Sequence, residues 1–188
     1  MLSVLIPVYN FDVRKLVKDI IDQCNKECID HEVLVIDDAS DEQFREINRE
    51  LEQYPTIKYQ ELENNIGRSK IRNLLANQAN YNYLLYMDCD SKVATKDYIK
   101  NYKRFFDRKT VVVYGGRDYT GLNGNYEKFK LHWNFGKTRE VIPACERQLN
   151  PSQSFMTNNF LITKPIFNQI CFNEKLKGLW PRRHPFWF

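Results

Sequence analysis

Three features of this 188-residue chain predict an α/β fold whose mainly parallel sheet carries helices on both faces. First, three apolar runs end in polar residues: Val4-Leu5-Ile6-Pro7-Val8-Tyr9-Asn10, Val33-Leu34-Val35-Ile36-Asp37-Asp38-Ala39-Ser40-Asp41 and Leu84-Leu85-Tyr86-Met87-Asp88-Cys89-Asp90. Second, strand-like and helix-like segments alternate as βαβαβαβ through the first half, the rhythm of right-handed crossovers between parallel strands. Third, Tyr83–Met87 is wholly apolar, as a strand covered on both faces must be. Ligands bind such sheets outside the carboxyl ends of the strands, so the three polar ends converge on one site.

The first strand is Ser3–Val8, stopped by Tyr9-Asn10. Asp12 is placed to cap a helix in which Leu16, Ile20, Cys24 and Cys28 recur at helical spacing. Glu32–Ile36 is the second strand, and Ser40 or Asp41 caps a second helix with Phe44, Ile47 and Leu51 on one face. Ile57–Leu62 is an edge-like third strand. Asn64-Asn65-Ile66-Gly67 turns into a helix with Ile71, Leu74, Leu75 and Ala79 facing inward, and Tyr83–Met87 follows as a central strand. Beyond Asp90 the rhythm changes. Lys96–Phe106 reads as helix and Val111–Tyr114 as strand; 115–143, rich in Tyr, Asn and Gly, reads as irregular. Ser154–Ile162 reads as a strand and Lys164–Ile170 as a short helix.

Apolar residues make up 43% of the chain and charged residues 28%, which suits one domain with a real core. A net charge of +4 is too mild and dispersed for a nucleic-acid partner, the one dense basic cluster being Arg182-Arg183-His184. No apolar stretch approaches the ~18 residues that span a bilayer. Nor is there a charged leader before the first strand, so a cytoplasmic protein is expected, with contact at the inner face of the membrane still open. The five cysteines show no zinc spacing, and Cys24 and Cys28 are read as packing residues in a reducing compartment.

Asp88-Cys89-Asp90 is the sharpest chemical signal. Two carboxylates one residue apart after a buried strand repel unless a cation neutralises them. Their oxygens suit Mn²⁺ or Mg²⁺, an ion usually shared with substrate phosphates. Taken alone, the pattern also fits a solvated turn; Asp37-Asp38 after a neighbouring strand tips the balance. A phospho-accepting receiver domain clusters acids in the same way, but it needs a further strand–helix repeat where this chain turns irregular. At the tip of the first strand, Pro7 and Tyr9 are candidate nucleotide contacts, with the Tyr9 ring lying against a base and Asp38 accepting a hydrogen bond. The alternative for Tyr9 is a half-buried packing role. Arg68 and Arg72 lie one turn apart at a helix N-terminus, a place that favours anions, and both can face the cleft to grip phosphate. Solvated arginines are the plainer reading. Asn158-Asn159 interrupts an apolar strand, so one amide should point inward, where a cleft wall that binds acceptor hydroxyls would satisfy it.

The opening I-P-V-Y-N, the V-I-D-D-A-S-D stretch, N-N-I-G-x-x-x-x-R-N and D-C-D together resemble inverting glycosyltransferases of family 2, with the GT-A nucleotide-sugar fold. The resemblance covers nearly the whole chain. It implies Tyr9 and Asp38 at the base, Asp88 near the ribose, Asp90 on a divalent metal bridging the diphosphate, and a nucleoside-diphosphate-sugar donor, UDP favoured. It further implies a glycan or lipid-linked acceptor, surface polysaccharide assembly, and a domain over 1–178 with a nucleotide-binding half (1–90) and an acceptor half (91–178). A nucleotidyltransferase would instead be expected to carry a Gly-rich loop after the first strand, and Val8-Tyr9-Asn10-Phe11-Asp12 has no glycine.

The resemblance breaks after Phe172-Asn173-Glu174-Lys175-Leu176-Lys177-Gly178. Relatives continue much like Y-G-H-E-D-T-L-F-G, whose acids supply the general base. This chain continues Leu179-Trp180-Pro181-Arg182-Arg183-His184-Pro185-Phe186-Trp187-Phe188. One coding of Gly178 onward is GGC CTA TGG CCA CGA AGA CAC CCT TTT TGG. Deleting one C gives GGC TAT GGC CAC GAA GAC ACC CTT TTT GGT, which restores the family ending. Residues 179–188 are therefore expected to be a frameshifted or truncated tail, and no catalytic base is assigned. Restoring the ending exchanges two of the 28 basic residues for two acids beyond the 24 present, which removes the net charge. Read as genuine, the tail would pack its two Trp and two Phe residues as an apolar plug or interface; read as a frameshift or truncation, it leaves as the alternative function a fragment that binds donor without its base.

Overall fold

A computed structural model describes residues 1–108, 111–119, 126–151 and 155–175. Its strands are β1 (Leu2–Val8), β2 (His31–Asp37), β3 (Ile57–Glu61), β4 (Tyr83–Met87), β5 (Val112–Tyr114) and β6 (Asn159–Thr163). The helices are α1 (Arg14–Lys26), α2 (Glu42–Asn48, continued by a 3₁₀ turn over Arg49–Gln53), α3 (Arg68–Gln78) and α4 (Tyr98–Lys103), then α5 (Tyr126–Phe135, followed by a π turn over Gly136–Glu140), α6 (Ala144–Leu149) and α7 (Lys164–Ile170).

They form one sheet in the order β3-β2-β1-β4-β6-β5. β1 to β4 are mutually parallel, and β6 runs antiparallel to both β4 and β5. The expected α/β fold and mainly parallel sheet are therefore present, with β3 at an edge and β4 inside. Alternation along the strands sends side chains to two cores. On one face Val4, Ile6, Val33, Val35 and Leu85 pack with Val17 and Ile20 of α1 and Ile99 of α4. On the other, Leu5, Leu34, Leu84 and Tyr86 pack with Ile71 and Leu75 of α3 and Phe167 of α7.

The chain order reverses at β1, whose two neighbours β2 and β4 lie on opposite sides, and this opens a crevice at the carboxyl edge. β1 pairs with β2 through Val8 but with β4 only from Leu2 to Leu5. Pro7, buried within β1, has no N–H with which to continue the second ladder, so β1 and β4 part where the crevice begins.

Several local expectations need correction. Val13, not Asp12, stands at the N-cap position of α1, yet the Asp12 carboxylate accepts the N–H of Arg14, the first helical residue, at 3.1 Å as well as its guanidinium at 2.9 and 3.0 Å, while buried Asn48 satisfies the Val13 N–H at 3.1 Å. Asp41 is the N-cap of α2, but its side chain makes no capping bond. Within 115–143, residues 126–140 are helical. β6 begins at Asn159, and Asn158 stands in the turn before it; Ser154 lies outside the described residues, as do 179–188. Cys24 is buried, whereas Cys28 is exposed with φ +51°, so the two share no packed face.

Candidate functional site

The carboxyl ends of β1, β2 and β4 meet at one edge, and reversed β6 starts there too, because Met87 pairs with Asn159. Asp88 N–H donates to the Asn158 carbonyl at 3.0 Å. Residues about 70 apart along the chain, Asp88 and Asn158, thus share a wall.

Asp38 is buried at the end of β2, where its N–H donates to the Val8 carbonyl at 2.8 Å. Its carboxylate receives the N–H groups of Ile66 at 2.7 Å and Gly67 at 3.0 Å, and its carbonyl receives the Asn65 amide at 2.9 Å. Burial pushes its pKa up, the two N–H bonds pull it down, and Asp37 beside it adds to the rise. These bonds fix the turn that opens α3. Gly67 sits at φ +85°, ψ 165°, a conformation essentially reserved for glycine. A Cβ there would meet nothing within 4 Å, so the need is conformational rather than steric.

Tyr9 is 41% exposed at the tip of β1. Arg68 and Arg72, one turn apart, occupy different environments. Arg68 is half-buried, and its pKa is lowered by burial and then by the Arg72 charge, with Asp88 and Asp90 opposing. Arg72 is only 3% exposed, pairs with Asp88 and lies over the Phe172 ring at 5.6 Å. Arg72 thus meets the crevice through its pair with Asp88, beneath Phe172, while Arg68 keeps part of its surface exposed.

Asp90 is open to solvent at the rim, yet enough protein surrounds it that desolvation, then the Asp88 charge, raises its pKa; Arg117 and Arg68 oppose this. No cluster of three metal-ligating side chains exists among the described residues. With one Asp88 oxygen committed to Arg72, the protein offers few oxygen donors. That set fits an ion that completes its shell with phosphate and water, as Mg²⁺ usually does, and not an all-protein cage. Between the acids, burial pushes the Cys89 thiol up to about 12.

Asn159 spends its amide inside the fold. Its Oδ1 receives the hydroxyls of Tyr98 and Tyr102, both at 2.6 Å, and its Nδ2 donates to the Gly116 carbonyl at 3.2 Å. Asn158 Oδ1 is buried without a hydrogen-bond partner among the described residues. Of the two amides, Asn158 therefore keeps unspent polar capacity beside the crevice.

Sequence reasoning passed over three asparagines. Asn10 ties the ends of β1 and β2, Asn65 braces Asp38, and Asn73 of α3 receives Phe172 N–H at 2.9 Å and donates to Phe172 O at 3.0 Å and Glu174 at 2.8 Å. The signal was available: Asn10 stands in I-P-V-Y-N, and Asn65 and Asn73 stand in N-N-I-G-x-x-x-x-R-N.

Comparison with known proteins agrees with this geometry. The E. coli protein named chondroitin synthase is 40% identical over 91 residues, 47% of this chain and 13% of its own. Among solved structures, S. aureus TarS 1-349 in complex with UDP aligns with TM-score 0.70 and 24% identity, over 95% of this chain and 52% of that one. The mannosyltransferase PcManGT from Pyrobaculum calidifontis, in complex with GDP-Man and Mn²⁺, aligns with TM-score 0.64 and 17% identity, over 93% and 48%. The chain thus spans about half the length of these solved chains and shares their GT-A fold. Residues 3–173, nearly everything that builds the sheet and its polar edge, match the family model described as glycosyl transferase family 2, and the chain belongs to that family.

Proposed function

We propose that the chain binds a nucleoside-diphosphate sugar, a uridine one favoured, in the crevice between β1 and β4, and transfers the sugar with inversion to a glycan or lipid-linked acceptor. The observation that carries this reading is the meeting of Tyr9, Asp38, Arg68, Asp88 and Asp90 at one sheet edge. UDP in the TarS complex, and GDP-Man with Mn²⁺ in the mannosyltransferase, support it by analogy of fold. Surface polysaccharide assembly is the proposed setting. Among the described residues no helix is long and apolar enough to cross a membrane, and peripheral contact is compatible with that.

Tyr9 lies against the base, with Pro7 backing it from within β1. Asp38 accepts from the base or ribose with the lone pairs that its two N–H bonds leave over. Arg68, at the start of α3, meets phosphate, while Arg72 holds Asp88 in place near the ribose. Asp90, with Asp88 beside it, would hold Mn²⁺ or Mg²⁺, which supplies neutralising charge to the departing diphosphate. Asn158, with Asn159 behind it, lines the acceptor side. The acceptor hydroxyl attacks the anomeric carbon opposite the diphosphate, the C–O bond to phosphate breaks, and a general base takes the hydroxyl proton.

A second reading rests on residues 179–188, which depart from the family ending and lie outside the described residues. If the base belonged to that ending, this chain would bind donor and transfer poorly, since general base catalysis contributes ~10²–10⁴-fold. Replacing 179–188 by Tyr-Gly-His-Glu-Asp-Thr-Leu-Phe-Gly and its natural continuation should then raise the transfer rate by that order; equal rates would remove this reading.

Calorimetry of UDP with and without Mn²⁺ tests the first reading. Binding should require the ion, and Asp90→Ala should abolish that requirement along with most of the affinity. Equal affinity in both conditions would refute it.

A further inference from the structure

Asn10 belongs to no assigned role, yet three hydrogen bonds tie it to the loop that follows β2. It takes φ +51°, a left-handed conformation that asparagine tolerates better than most residues. Its N–H donates to buried Ser40 Oγ at 2.8 Å. Its side-chain oxygen receives the Asp41 N–H at 2.7 Å, and its amide donates to the Asp41 carboxylate at 3.3 Å. Ser40 is anchored in turn, its N–H donating to Asp37 at 2.7 Å and its carbonyl receiving the Arg45 guanidinium at 2.6 Å. Ala39, between Asp38 and Ser40, is also left-handed at φ +64°. Two sharp reversals, one after β1 and one after β2, are thus laced to each other. The first carries Tyr9 and the second carries Asp38.

We infer that Asn10 is a positioning residue that joins the Tyr9 and Asp38 loops into one preformed nucleobase clamp. The inference rests on the proposed placement of a nucleotide base between those two residues. Its physical basis is preorganisation. A tyrosine on an unbraced strand tip must lose its freedom when ligand binds, while one on a braced tip has lost it on folding. Asn10 touches neither phosphate nor metal in this account, so its effect should be confined to ligands that carry a base.

The probes are UDP with Mn²⁺ and inorganic pyrophosphate with Mn²⁺, each titrated into the full chain. Asn10→Gly keeps the left-handed backbone accessible and removes the side-chain bonds. It should weaken UDP about two- to tenfold, the scale of ordering one side chain on binding, and leave pyrophosphate unchanged. In a Tyr9→Ala background the same substitution should cost UDP nothing further. The exchange Asn10→Asp with Asp41→Asn restores one amide facing one carboxylate, and should recover most of the affinity that Asn10→Asp alone loses through repulsion. Equal weakening of pyrophosphate, or losses that multiply in the double variant, would overturn the positioning role. Tyr9→Ala that binds UDP normally would instead overturn the nucleobase reading beneath it.

Discussion

Arg72 and Asp88 form a pair in which one partner is buried and the other about a quarter exposed. Breaking a buried pair costs roughly 3–5 kcal/mol, and partial exposure of Asp88 reduces that to about 2 kcal/mol for Arg72→Ala. Arg72→Lys should recover little, because an ammonium gives neither the planar fork nor the stacking on Phe172. Urea unfolding of both variants checks the prediction; full stability in Arg72→Lys would show that charge alone matters. The cysteines give a second test. Burial pushes both Cys24 and Cys89 up to about 12, whereas Cys28, Cys145 and Cys171 are exposed. The thiolate is the reactive form, so iodoacetamide at pH 8 should modify those three and spare Cys24 and Cys89 until urea is added. Mass spectrometry of the alkylated chain reads this directly. In the sequence, spacing placed Arg68 and Arg72 on one helical face but could not say that Phe172, a century of residues away, would cover one of them. The same limit hid Asn73, whose partners Phe172 and Glu174 no local pattern connects to it.

Among the elements, β1 to β4 and α3 were legible because their apolar periods and bounding Gly, Asn and Asp residues agree with each other. α7 matched its expected span of Lys164–Ile170, with Pro165 in the first turn. α5 was missed because its aromatic and charged residues carry no clean amphipathic stripe; Leu131 and Phe135 are left exposed. β6 was drawn too long because the apolar Phe155 and Met156 precede it without pairing to any strand. α4 is fixed to the sheet through Tyr98 and Tyr102 on Asn159, at a point where Gly115 allows close approach. A Cβ at Gly115 would overlap the Tyr102 hydroxyl and lie 2.5 Å from Asn159 Nδ2. Gly115→Ala should therefore destabilise the chain by about 1–3 kcal/mol, an overpacking cost. For this size that is ~2–4 °C in Tm per kcal/mol by differential scanning fluorimetry. Tyr102→Phe in the same chain should return part of the loss by removing the clashing hydroxyl. An unchanged Tm in Gly115→Ala would show that α4 shifts freely.

For the molecule as a whole, the reversed strand β6 joins two pieces of chain that otherwise share little of the sheet. Among the described residues β5 pairs with β6 alone, yet it precedes β6 by some 45 residues. Chain order and sheet order therefore conflict, and the conflict dictates a sequence of events during synthesis and refolding. β1 to β4 can zip as soon as Met87 is available, but β4 then presents a bare edge, the kind of surface on which chains aggregate. β5 must wait unpaired until residues 159–163 arrive and slot in beside β4. Pulsed hydrogen exchange during refolding should show the Val113 amide protected no earlier than that of Leu161, with Leu34 and Val35 protected before both. A nascent chain stalled near residue 150 should be more prone to self-association than one stalled near residue 175, because only the longer one can cover its own exposed edge.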